Sequence, residues 1–166
     1  MDRNPDKALY RFLDTNGDGS GTDNANGDYS SVADEFYFQS SRDSFINRLI
    51  IHIGDTTGMQ AQDYGNITSG ITNGYVLKVQ DDTQTDLLDL CDGVPIKTNG
   101  DLGRYCYDVE LKSWGAGNEF LQARWTFANA GAPLFIRAQH RLSITFNDDL
   151  TGLLEHYFMI QGYEYG

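Results

Sequence analysis

Residues of a type and spacing able to do chemistry stand first near the N-terminus. In "LDTNGDGSGTDNANGDYS", residues 13–30, Asp14, Asn16 and Asp18 occupy alternate positions and Gly19 follows. That is how a calcium loop of the EF-hand kind begins, with oxygen ligands at positions 1, 3 and 5 and a glycine for the sharp turn. Such a loop needs a bidentate carboxylate at position 12, and Ala25 stands there. The main expectation is therefore a solvated, turn-rich segment without a cofactor. An irregular calcium site on Asp14, Asn16 and Asp18, completed by Asp23 or Asp28, is the minor one.

The other candidates have structural explanations. Asp81-Asp82 and Asp148-Asp149 look like paired catalytic carboxylates, but neighbours on a strand point to opposite faces, and both pairs fall where a hairpin turns. His52, His140 and His156 lack metal-ligand spacing. Cys91 and Cys106 lack Cys-x-x-Cys spacing and are expected as buried free thiols. No serine sits in a Gly-x-Ser-x-Gly elbow, and the glycines of 17–21 lack the Lys and helix of a phosphate loop. Trp125 is expected in the core; Trp114, beside "GAGN", is expected to be exposed, and with the tyrosines it would suit a sugar platform.

The elements that must position these residues read as strands. The chain has 166 residues, enough for one domain with a substantial core. Ten Tyr and nine Phe favour strands, whereas four Lys and five Glu leave few exposed-helix formers. Nineteen Asp and eighteen Gly supply turns. "DEFYFQ" alternates with a period of two, and "FINRLIIHIGD" is a continuous apolar stretch suited to a central strand, with Phe45, Leu49, Ile51 and Ile53 sharing one parity. "YVLKVQ", "DLLDL", "VPIKT", "RYCYDVELKSW", "FLQARWTF", "PLFI", "RLSITF" and "EHYFMIQGYEY" continue the series at roughly ten-residue spacing. The expected fold is all-β, an antiparallel β-sandwich of jelly-roll type over residues 34–166. Residues 1–33 are expected as an extended N-terminal arm, with Leu9, Phe12 and Leu13 forming a short helical face.

Charge narrows the partners. The formal charge is −12 and the basic residues are scattered, which argues against nucleic-acid binding. No apolar run reaches the roughly 18 residues of a membrane span, and the first residues lack the apolar segment of a secretion signal.

Several segments together resemble small virion proteins of tailed bacteriophages, most of all the cement or decoration proteins that coat a capsid: "EFYFQSSRDSFINRLIIHIGD", "YGNITSGITNGYVLKV", "DGVPIKTNGDLGRYCYD" and "ITFNDDLTGLLEHYFMIQGYEY". The similarity covers most of residues 8–165. It implies a jelly roll without catalysis that assembles as a trimer or dimer, binds the major capsid protein on the outer surface of the virion, and is made in the host cytoplasm. On this reading Leu9, Phe12 and Leu13 anchor the arm on the partner, and Tyr157, Phe158, Tyr163 and Tyr165 are the expected contact between copies. A head–tail connector or tail component and a carbohydrate-binding jelly roll are the alternatives.

Overall fold

A computed structural model of the chain describes residues 7–55, 58–114, 117–127 and 131–165. The strands run in chain order from β1 (Lys7–Phe12), which was not expected, through β2 (Asp34–Gln39), β3 (Ser44–Asp55), β4 (Leu77–Gln80) and β5 (Asp86–Asp89). A short helix, α1 (Asn99–Tyr105), precedes β6 (Asp108–Ser113), β7 (Glu119–Thr126), β8 (Leu134–Ile136), β9 (Arg141–Phe146) and β10 (Glu155–Glu164). The larger sheet runs β1-β10-β3-β7-β6, with β8 also on β3, and the smaller runs β2-β9-β4-β5. All pairings are antiparallel. With β6 and β8 set aside, the first strand lies beside the last and the second beside the last but one, the order of a jelly roll. The chain is an all-β sandwich.

Period-two burial explains the core. Leu49, Ile51 and Ile53 of β3 meet Leu121, Ala123 and Trp125 of β7 on one side and Phe158 and Ile160 of β10 on the other, all facing the smaller sheet. Phe36 and Phe146 close the core from that smaller sheet, their rings 5.9 Å apart. Full burial of each such side chain is worth about 1.5–3 kcal/mol, so the strands are held by what they cover more than by propensity. Among the described residues no helix is long and apolar enough to cross a membrane.

The N-terminal expectation is corrected. Leu9, Phe12 and Leu13 do not form a helical face, because residues 7–12 pair with β10 from Lys7–Glu164 to Phe12–Met159. The ladder and a place in the core outweigh a local helical spacing of three residues. Nor is the described part of 1–33 an arm reaching outward. Leu13 N–H donates to the Phe158 carbonyl, Ala25 N–H to that of His156 and Tyr29 N–H to that of Asp148, each at 2.9 Å. The segment that looks like a tether is the lacing of the C-terminal strands.

Two further departures bear on the surface. Around "VPIKT" there is one isolated bridge, Tyr75–Ile96, and the expected strand over 104–114 begins only at Asp108. Before it, α1 starts on a capping box in which Asp101 N–H donates to the Thr98 hydroxyl and the Asp101 carboxylate accepts from Thr98 N–H. In β3 the expected parity breaks: Gln161 pairs with Arg48 but Gly162 pairs with Ile46, so Asn47 is an extra residue in the ladder. Ile46 therefore points into the core and Phe45 points out. Gly162 is required there, since a Cβ would run into the Phe45 carbonyl oxygen.

Candidate functional site

The bulge assembles an aromatic cluster on the outer face of the larger sheet. Phe45 from β3 stacks on Tyr163 from β10 with centroids 5.0 Å apart and planes 7° from parallel. Phe135 from β8 lies 4.9 Å from Phe45, and Tyr165 meets the same ring edge-on at 5.3 Å. Phe135 is 45% exposed and Tyr165 is 41% exposed. Phe135 also lines a mainly apolar groove of about 340 Å³ with Val79, Leu87 and Leu88, bordered by Arg137 and His140, and both leucines are exposed on β5. Two sheets thus contribute to one apolar surface on a chain of charge −12. Aromatic and aliphatic groups in such a patch mark a protein contact more often than chance exposure does.

Of the residues expected between copies, Tyr163 and Tyr165 fall in this cluster. Tyr157 lies elsewhere, its ring 6.1 Å from that of His52. Phe158 is a correction, because alternation on β10 turns it into the core, where it is 1% exposed. The arm contacts are corrected too: Leu9 is 3% and Leu13 is 1% exposed, both covered by this chain itself, whereas Phe12 is half-buried. Phe45 and Phe135 were not among the expected contacts. The one signal for Phe45 is an isolated glycine inside the aromatic strand "YFMIQGYEY", the mark of a bulge.

The carboxylate ladder serves the backbone. Gly17 N–H donates to Asp14 Oδ1 at 2.6 Å and Gly21 N–H to Asp14 Oδ2 at 3.0 Å. Asp18 N–H donates to Asn16 Oδ1 at 3.0 Å and Ser20 N–H to Asp18 Oδ1 at 2.8 Å. The Ser20 hydroxyl and N–H together hold the Asp18 carboxyl below its usual range. Asp14 itself is fully buried, so the loop is not the freely solvated segment expected of it. Among the described residues no group of three or more His, Cys, Asp and Glu stands where it could share an ion.

The remaining chemical candidates are likewise built into the fold. Asp81 Oδ1 accepts from Thr83 N–H and Thr85 N–H, both at 2.9 Å, closing the β4–β5 hairpin. Asp148 accepts from Asn73 N–H and Gly74 N–H at 2.9 Å each, while Asp149 accepts from Thr151 N–H at 3.0 Å. The free thiols of Cys91 and Cys106 are buried, and burial pushes them up to about 11 and about 12, out of the range of a nucleophile at neutral pH.

His156 is fully buried, and burial pushes its imidazole down to about 4. Its Nδ1 lies 2.8 Å from the Ala25 carbonyl, which can only accept, so Nδ1 carries the proton. Nε2 is then the acceptor for the Tyr64 hydroxyl at 2.7 Å. That leaves the Tyr64 oxygen to accept from Tyr75, 3.0 Å away. Burial raises both phenols well above their ordinary value. This chain of polar groups ties β10 to the N-terminal segment and to the loop before β4.

A separate groove of about 480 Å³ opens at the other end of the larger sheet's outer face, where Trp114 and Phe120 stand beside His52 and Glu155. Trp114 is 76% exposed, as expected, and Trp125 is in the core.

No protein-family model matches the sequence, and neither does any curated protein. A solved structure, a CocE/NonD family hydrolase from Staphylococcus aureus, aligns with 97% of this chain at 8% identity and a TM-score of 0.39. The chain spans 36% of that hydrolase's length, and a likeness this distant carries no argument about activity.

Proposed function

We propose that this protein is a non-enzymatic structural component of a virion, a cement or decoration protein that binds and stabilises the major capsid shell from outside. The observation that carries the reading is the joint apolar surface of Phe45, Phe135, Tyr163 and Tyr165 with Leu87 and Leu88, standing on a jelly roll of charge −12. Its aromatic half is the contact between copies in a trimer or dimer. Its leucine half, on the β4–β5 hairpin, faces the shell. The resemblance to phage virion proteins supports the same role. So does the charge of −12, which keeps the protein away from packaged DNA. A sandwich whose residues 7–29 are laced to its C-terminal strands suits a part that must stay rigid while the shell is under load.

Adding purified protein to heads that lack it tests the proposal. Wild type should bind to saturation at a fixed ratio to the capsid subunit, and Leu88→Glu should bind at least about tenfold more weakly. Failure of wild type to bind, or equal binding by Leu88→Glu, would overturn it.

A further inference from the structure

The groove at Trp114 has the makings of a ligand site unrelated to the apolar surface. Tryptophan is seldom left in water, yet Trp114, just past the end of β6, is 76% exposed. It is not a stray side chain: its ring is 6.5 Å from that of Phe120, with planes 29° apart. Phe120 in turn lies 5.6 Å from His52, and His52 lies 6.1 Å from Tyr157. A row of four rings thus crosses from the β6–β7 turn over β7 and β3 to β10.

Polar groups flank the row. His52 Nδ1 faces the Gln122 amide nitrogen at 3.4 Å and so accepts, which leaves His52 Nε2–H to donate to Glu155 Oε2 at 3.2 Å. That bond orients Glu155, whose side chain stays 54% exposed at the groove's edge. Asn118 lines the same opening, and its backbone carbonyl accepts from the Trp114 backbone N–H at 3.0 Å. The Glu119 carboxylate, also in the lining, accepts from Gly58 N–H at 2.8 Å.

From this geometry we infer that the groove binds a neutral glycan, with a pyranose ring on Trp114 and its hydroxyls on Glu155, which His52 orients, and on Asn118. A sugar ring has an apolar C–H face and a rim of hydroxyl donors and acceptors, and this groove has aromatic faces beside a carboxylate and an amide. The charge of −12 and the carboxylates at the opening select against acidic sugars. Few contacts are offered, so affinity is modest, with Kd near the millimolar range. The site is independent of the capsid reading.

The test is an NMR titration of the full chain with cellohexaose, maltohexaose, mannohexaose and chitohexaose, each to about 10 mM. The indole N–H signals of Trp114 and Trp125 are the readout. At least one glycan should shift the Trp114 signal saturably and leave that of buried Trp125 in place. Trp114→Ala should raise Kd about tenfold or more, and Glu155→Gln should raise it about threefold or more, both with unchanged melting temperature. Trp114→Ala should attach to heads as wild type does. No shift with any of the four glycans, or equal binding by Trp114→Ala, would overturn the site. Loss of head attachment in Trp114→Ala would also overturn it, by making the groove a protein contact.

Discussion

Acidification should destabilise this protein through one buried histidine. Burial lowers His156 from its ordinary 6.5 to about 4, while in the unfolded chain it keeps the ordinary value. Above pH 6.5 the ring is neutral in both states and the difference has no effect. As pH falls from 6.5 toward 4, the unfolded chain takes up a proton that the folded one refuses, so stability is lost throughout that window. A gap of 6.5 minus about 4, at 1.36 kcal/mol per unit, comes to about 3 kcal/mol. For a chain of this length that is roughly 6–12 °C in melting temperature. Carboxylates such as Asp18 and Asp23, held below 3.8 by local hydrogen bonds, add their losses only at more acid pH. The assay is urea unfolding of wild type and His156→Gln at pH 7, 6, 5 and 4. Wild type should be the more stable at pH 7, and its margin should shrink by about 3 kcal/mol by pH 4. A margin constant across that range, or a His156 ring observed by NMR to be protonated at pH 6, would refute the reasoning.

Other outcomes follow from the same contacts. Gly162→Ala should cost about 1–3 kcal/mol in urea unfolding and disturb the signals of Phe45 and Tyr163, because the Phe45 carbonyl occupies the Cβ position. Asp14→Ala removes two charged hydrogen bonds to backbone N–H groups and should cost about 3 kcal/mol, while a chelator should leave the wild-type melting temperature unchanged. If the proposed contact between copies holds, wild type should be a dimer or trimer by light scattering and Phe135→Glu a monomer, with the far-ultraviolet circular dichroism spectrum preserved. Cys91 and Cys106 should react with a thiol reagent only after unfolding, since both are buried and protonated at neutral pH.

The strands were legible because a sheet leaves a period of two in the chain, as in "LQARWTF" and "RLSITF". The jelly-roll class was legible from the spacing of turns. Long-range pairing was not. Nothing local distinguishes an N-terminal segment that reaches out from one that pairs with β10, since the partner lies some 150 residues away and the outcome turns on a ladder the sequence does not print. The helix α1 carried its signal in Thr98 and Asp101, a capping box hidden among turn residues. The apolar surface was half legible. Tyr163 and Tyr165 stand in an evident aromatic strand, whereas Phe45 reaches them only because Asn47 shifts its parity, and Phe135 only because β8 docks beside it.

The proposed role is tested most directly by the copy number of this protein per particle. In purified, tail-stripped, DNA-filled heads, quantitative mass spectrometry should find it at a constant ratio to the major capsid protein, in the number expected of a shell-wide lattice. Its absence from those heads, or a handful of copies consistent with a single vertex, would contradict a decoration protein.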